Sequence, residues 1–312
     1  DFLGYNTLEA EAQLLEILDL NNQQAGLVFN KTPFYGESGG QVGDTGVIYK
    51  DGEKLAQIVD TQKPVDQFHV HFVPKASAEK LKVGEHYQLR VESKERKLTA
   101  RNHSATHLLQ SALIQVLGTH VKQAGSLVNA KRLRFDFTHM KSMTAEDIRQ
   151  VEDLVNQQIQ RGMNVTSEIT SMDRALEKGA LALFGEKYGE SVRLLEMGDF
   201  STELCGGTHV GNTSEIGLFK ITSESSLSSG VRRIEAVTSE TAINMLNERS
   251  NILAELEKLT KVKGEKVLER FHSQQQEIKT LKKEIQSHKE KLQSIEAKSL
   301  FSSPEILSQD VS

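Results

Sequence analysis

The hydrophobic period of this sequence changes twice, near residue 92 and near residue 239, so no single kind of packed layer accounts for it. Between about 20 and 95, short apolar runs stand between glycines. Ala25 to Asn30, Val47 to Tyr49, Leu55 to Val59, Phe68 to Val73 and Tyr87 to Val91 each read as a strand, and Gly36, Gly39, Gly40, Gly43 and Gly46 punctuate them with tight turns. This spacing predicts a small barrel or curled sheet. Residues 8 to 20 read otherwise: Leu8, Ala12, Leu15 and Leu18 recur near the helical period and predict an N-terminal helix.

From 93 to 117 the period is helical, with Leu98, Ala105, Leu108, Leu109, Ala112, Leu113 and Val116 on a broad apolar side and Gly118 as its stop. Leu127 to Asn129 and Leu133 to Phe137 alternate as strands. A helix is expected from about Thr144 to Arg161, with Thr144 as cap, Asp147 completing a capping-box variant and Gly162 ending it. A short helix over 170–178 and strands at Val192 to Met197, Leu218 to Glu224 and Val231 to Val237 complete an α+β layer.

Beyond 239, Ile278, Leu281, Ile285, Leu292 and Ile295 fall at steps of three and four, with His288 filling one core slot. That is a coiled-coil seam. Leu246, Leu253, Leu256 and Leu259 mark an earlier helix, and Lys261 to Gly264 is either a turn between two antiparallel helices or a weak spot in one long helix. Either way the seam needs a partner, within the chain or in a second copy as a homodimer. The expected organisation is an N-terminal helix and small β-barrel-like domain over 1–92, an α+β domain over 93–238, a helical coiled hairpin over 239–300 and a flexible tail over 301–312.

Charge narrows the partners. With 38 Lys and Arg against 43 Asp and Glu the formal net charge is −5, so bulk attraction to a polyanion is excluded and any nucleic-acid contact must be a local patch. The single cysteine, Cys205, excludes an intrachain disulfide scaffold. No run approaches eighteen apolar residues, so neither a spanning helix nor a membrane partner is expected, and the balance suits a cytoplasmic protein. The opening Asp1-Phe2-Leu3-Gly4-Tyr5 has no signal or transit pattern and reads like a cut into a longer polypeptide.

The strongest chemical signal is His103-Ser104-Ala105-Thr106-His107 inside the long helical pattern. Residues four apart share a helix face, so both imidazoles can point at one ion. The second half is Cys205-Gly206-Gly207-Thr208-His209, where two glycines allow the backbone to come close to a ligand. A thiolate with imidazoles suits zinc. Three protein ligands would leave a position for water and four would close the shell; His209 is the fourth candidate. No Glu follows the first His, so a zincin general base is excluded.

Three stretches then carry a resemblance: Thr32 to Asp44 (TPFYGESGGQVGD), Arg101 to Leu109 (RNHSATHLL) and Cys205 to Val210 (CGGTHV). Together with Ser229 to Glu235 and the helical tail, they make the chain resemble the editing region of alanyl-tRNA synthetase over residues 1 to 295, with stand-alone editing proteins as its nearest rival. The resemblance implies zinc on His103, His107, Cys205 and His209. It implies pocket roles for Thr106 and Gln123, and hydrolysis of serine or glycine wrongly esterified to tRNA(Ala). Full synthetases also attach alanine using ATP; the domain for that step is expected to lie outside this chain. Editing is needed because a small pocket separates similar side chains poorly.

Ester hydrolysis requires a placed water and a stabiliser of developing negative charge. The Gly206 and Gly207 amides are expected to donate to the carbonyl oxygen, with zinc retained when Gly207 is enlarged. Thr106 is expected to sense the serine hydroxyl or restrict the pocket by its bulk, and Gln123 to orient water or the adenosine. Three basic clusters are candidates for contact with the tRNA acceptor end: Lys94, Arg96, Lys97 and Arg101; Lys131, Arg132 and Arg134; and Arg232 with Arg233. The Gly-rich stretch Glu37 to Asp44 lacks a phosphate-loop ending and is expected to be a turn beside the second domain. Two rival readings are a structural zinc module that mediates interactions and a zinc hydrolase of small esters. A cleft beside the metal separates the first from an enzyme; independence from the tRNA body identifies the second.

Overall fold

Residues Glu9–Asp19 form a strand, β1, and not the expected helix. Its side chains alternate, with Ala12 and Leu14 buried between exposed or half-buried neighbours, until the register shifts between Leu14 and Glu16. The extra residue moves the next inward position to Ile17. The inward spacings, two and then three, break the strict alternation that marks a strand. The bulge also lets β1 serve two partners.

The fold is a computed structural model that describes residues 1–65, 68–181, 189 and 191–301. β2 (Gln24–Phe29), β3 (Gly46–Lys50), β4 (Glu53–Ile58), β5 (Asp60–Val65), β6 (Phe68–Pro74), a short helix α1 (Lys75–Ala78) and β7 (His86–Val91) follow β1. The strands form one antiparallel sheet in the order β4-β3-β7-β1-β2-β6-β5. β4 and β5 stand at its ends, so the strand pairing among the described residues gives a seven-stranded sheet rather than a closed barrel. Leu14, Leu27, Phe34, Ile48, Ile58, Tyr87 and Leu89 fill its core. β5 was not legible in the sequence because TQKP carries no apolar run.

The next elements are α2 (Ser93–Leu117), β8 (Gln123–Val128), β9 (Leu133–Thr138), α3 (Ala145–Arg161), β10 (Val165–Ser171), α4 (Met172–Glu177), β11 (Ser191–Met197) and β12 (Ser201–Leu204). A 3-10 turn at Thr213–Ile216 leads to β13 (Phe219–Ser228) and β14 (Val231–Thr238). The capping box at Thr144 and Asp147 is present as expected. A four-stranded antiparallel sheet, β13-β14-β9-β8, carries α2 and α3, and Leu108, Leu109, Phe135, Phe137, Val151, Val155 and Phe219 pack between them. A smaller sheet, β10-β11-β12, adds two strands that the sequence reading missed.

The Gly-rich stretch lies against the edge of β8: Val42 donates to Val128 and Val128 donates to Gly40. The N-terminal sheet and the α2 layer share one compact unit, Asp1–Asn244. Further on, α5 (Ser239–Thr260) and α6 (Lys266–Phe301) are separate helices. Lys261 and Gly264, both at positive φ, break the chain between them, which excludes a single long helix. The seam residues Ile278, Leu281, Ile285, Leu292 and Ile295 are 48–63% exposed. Of the expected tail, 302–312 lies outside the described residues.

Candidate metal centre

α2 is buried on every side from Asn102 to Leu113, although more than half of that stretch is polar. Asn102 is held by the Asn129 carbonyl and the Thr238 hydroxyl, which fixes the helix against its sheet. His103 and His107 stack with ring centroids 5.2 Å apart, as the four-residue spacing dictates. The Cys205–His209 loop, leaving β12, brings the other two side chains to them. The ligand atoms of His103, His107, Cys205 and His209 all lie within 4.8 Å of one another.

Each imidazole is oriented through Nδ1. Gln41 Oε1 accepts the Thr208 amide at 2.9 Å and lies 2.7 Å from His103 Nδ1. A carbonyl oxygen only accepts, so His103 carries its proton on Nδ1 and frees Nε2. Glu203, almost fully buried, lies 2.5 Å from His107 Nδ1 and receives the Ser201 hydroxyl on its other oxygen. His209 Nδ1 meets Ser104 Oγ at 3.1 Å. The three Nε2 atoms are thereby left for the sulfur side. His103 Nε2 and His209 Nε2 stand 3.5 and 3.2 Å from Cys205 Sγ, and His107 Nε2 is buried without a hydrogen-bond partner among the described residues. An orphaned buried nitrogen facing a thiol and two imidazoles is the donor set of a soft divalent metal, so the residues present fit zinc.

Electrostatics point the same way. Burial opposes charge on His107, but Glu203 and Cys205 outweigh it and push His107 up to about 10. Burial would raise the Cys205 thiol, yet His103, His209 and His107 hold it well below its usual range. Burial lowers His209 to about 3, which leaves it neutral. Cys205 and His209 are thus held in their ligand forms, thiolate and neutral imidazole, whereas His107 would have to release its Nε2 proton when a metal binds.

A cavity of about 280 Å³ opens beside this cluster, lined by both helical histidines, Cys205, Thr106, Gln123 and Arg193 among others. It brings the expected pocket residues Thr106 and Gln123 to the ligands. Two expectations at Gly207 need correction; that for Thr106 does not. The Thr106 hydroxyl donates to the Asn102 carbonyl at 2.9 Å, as a helix threonine does, which leaves its oxygen to accept and its bulk at the cavity wall. The Gly207 amide is directed at Cys205 Sγ, 3.4 Å away, and not into the cavity. A Cβ on Gly207 would run into the His103 ring, so enlarging this residue disturbs the ligand set and cannot leave zinc binding intact. At Gly206 the nearest atom to such a Cβ is the Tyr5 hydroxyl, 3.9 Å away.

Arg96 is the clearest departure among the basic residues. It is buried, ion-pairs with Asp44 and donates to the Gly4 and Pro33 carbonyls, which joins α2 to the N-terminal sheet and neutralises its charge. Arg132 pairs with Glu235, Arg232 with Glu224 and Arg233 with Asp136, beside which Arg134 also lies. Lys94, Lys97 and Lys131 are exposed. Gln41, Ser104 and Glu203 had no assigned role in the sequence reading. The available signal for Glu203 was the inward phase it shares with Ser201 in a short strand ending at the cysteine.

Residues 192–235 match the family model described as the second additional domain of threonyl and alanyl tRNA synthetases, and residues 1–95 match that of class II (A) tRNA synthetases. An alanine–tRNA ligase of Stenotrophomonas maltophilia is 48% identical over 300 residues, 93% of this chain and 34% of the relative. The alanine–tRNA ligase of Alkaliphilus metalliredigens is 45% identical over 299 residues, 93% of this chain and 34% of the relative. That of Fusobacterium nucleatum is 43% identical over 306 residues, 98% and 35%. The chain thus spans about a third of the length of the relatives it matches. Over nearly its whole length the chain is therefore similar to about a third of an alanine–tRNA ligase.

Proposed function

We propose that this chain binds zinc through His103, His107, Cys205 and His209 and hydrolyses the aminoacyl ester of Ser-tRNA(Ala) and Gly-tRNA(Ala). The observation that carries this reading is the four-ligand cluster opening onto a 280 Å³ cavity lined by two of its histidines and its cysteine. A purely structural zinc would need no such space, and that disfavours an interaction module. Homology to alanine–tRNA ligases and the match to the second additional domain support the substrate class. We read alanine–tRNA ligation, with its ATP requirement, as the activity of the longer protein type, and the cytoplasm as its compartment. Residues 1–92 would support the site, 93–238 carry it, and 239–300 form a coiled element suited to dimerisation. No described helix is long and apolar enough to cross a membrane.

Zinc, when bound, supplies a Lewis acid that anchors the substrate or eases ionisation of water. The protein's own groups do the rest. Gln41 holds the His103 proton on Nδ1, and Glu203 holds that of His107. Thr106 restricts the cavity by its bulk at the helix wall, and Gln123, which lines the same cavity, would orient a water or the terminal ribose. The Gly206 amide remains the loop's donor for developing negative charge, because that of Gly207 faces sulfur. The test is deacylation of Ser-, Gly- and Ala-tRNA(Ala) with and without chelator. Hydrolysis of the first two, lost on chelation, is expected; persistence of all three esters in the metal-replete protein would refute the activity.

A further inference from the structure

The cations around the site divide by what faces them. Arg96, Arg132, Arg232 and Arg233 each have a carboxylate partner. Lys97, Arg101 and Arg193 form no ion pair among the described residues, and all three line one groove of about 390 Å³ that runs along Thr208, His209, Val210 and Gly211; Arg96 borders it too, with its charge neutralised by Asp44. Lys97 and Arg101 are one helical turn apart on α2 and so share a face. Arg101 donates to the Ser239 hydroxyl at 2.7 Å. Arg193 donates to the Cys205 and Gly207 carbonyls and lies over the Tyr5 ring, 4.2 Å from its centroid. The carboxylate that also lines the groove, Glu215, accepts the Gly211 and Asn212 amides, which turns its charge toward the backbone.

Arg193 lines both this groove and the metal cavity. The two spaces therefore meet at a cationic side chain that is anchored on the metal-binding loop. In a chain of net charge −5, a local concentration of unpaired cations beside a reaction cavity is what a strand of phosphodiesters requires.

We propose that the Lys97–Arg101–Arg193 groove holds the sugar–phosphate backbone of an RNA single strand whose 3′ end enters the metal cavity. The proposal rests on the RNA-ester reading above and specifies how that substrate is seated. The contacts position the strand without reading bases, so binding is salt-dependent and tolerant of sequence.

The test is fluorescence anisotropy of the full chain with uncharged tRNA(Ala) across a salt series, comparing wild type, Lys97→Glu, Lys97→Ala/Arg101→Ala and Arg132→Ala. Lys97 makes no hydrogen bond or ion pair among the described residues, so its substitution separates charge from folding, and zinc content checks the site. Expected are weaker binding for the first two variants, a salt slope shallower by about 0.7 to 0.9 for each cation removed to Ala, and no change for Arg132→Ala. Wild-type affinity and slope in both groove variants, or an equal loss in Arg132→Ala, would overturn the groove. Deacylation is read separately. Groove-dependent RNA binding without ester hydrolysis would remove the proposed activity and leave the groove; hydrolysis with groove-independent binding would do the reverse.

Discussion

Two long helices, α2 and α6, show opposite relations between pattern and burial. α2 is polar along much of its middle, yet that stretch is enclosed, and its amides, hydroxyls and imidazoles meet partners from four other segments. α6 carries a regular apolar seam, and that seam is about half exposed. Apolar period marks a helix that needs a partner. Burial follows only where tertiary structure supplies one, and a buried polar group persists when every hydrogen bond lost to water is replaced.

The largest effect that can break this comparison lies in the loop against α2. Gly207→Ala is expected to abolish stoichiometric zinc and deacylation by displacing His103, while Gly206→Ala, with open space around it, keeps both. Zinc content and turnover of the pair decide it; equal behaviour would mean that the close approach of loop to helix is not required.

Burial itself comes next. Leu109, fully buried on α2, is expected to cost about 2–5 kcal/mol on replacement by Ala, against less than about 0.5 kcal/mol for Ile285→Ala on α6. Chemical denaturation of both variants measures this. A large loss at Ile285 would show that the seam is covered in solution and would erase the contrast.

A third effect sharpens the account of polar burial. Glu203→Gln keeps shape but weakens the orientation of His107, so zinc affinity should fall by roughly 10- to 100-fold, as for other outer partners of metal ligands. Competition with a chromophoric chelator gives the number; unchanged affinity would mean that Glu203 merely fills space.

The smallest expected effect is the acid response of chelated protein. An unfolded His209 takes up a proton as pH falls through 6.5, while the folded one, lowered by burial, resists until about 3. Unfolding therefore gains protons across that window and stability drops with pH. Cys205, held below its usual value by the imidazoles despite burial, acts in the same direction as its thiolate is protonated. His107, raised to about 10, keeps its contribution below 6.5 and loses it only as pH climbs toward 10. The Tm of the chelated His209→Gln variant should fall less between 6.5 and 3 than that of wild type; identical slopes would remove His209 from the explanation.

The sequence alone was sufficient where structure is local or chemistry is rare. The α3 capping box spans four residues, and the helical histidine pair with the lone cysteine narrowed the ligand set to four side chains that do converge. β1 was misread because its bulge is a property of pairing with two neighbours, and the pattern of the single strand imitates a helix. Gln41, Glu203 and Ser104 stand 62, 96 and 105 residues from the imidazoles that they orient. Which basic residues keep a free charge was equally illegible: Arg96 and Lys97 are adjacent in the chain and border the same groove, yet Arg96 is buried and paired with Asp44 while Lys97 is exposed and has no ion pair among the described residues. Composition and spacing determined which residues can bind a metal or a phosphate. Only the tertiary structure decided which of them are brought together and which are neutralised within the fold, because a carboxylate, an amide or a solvent-filled space reaches a side chain through space, and chain order carries no record of that.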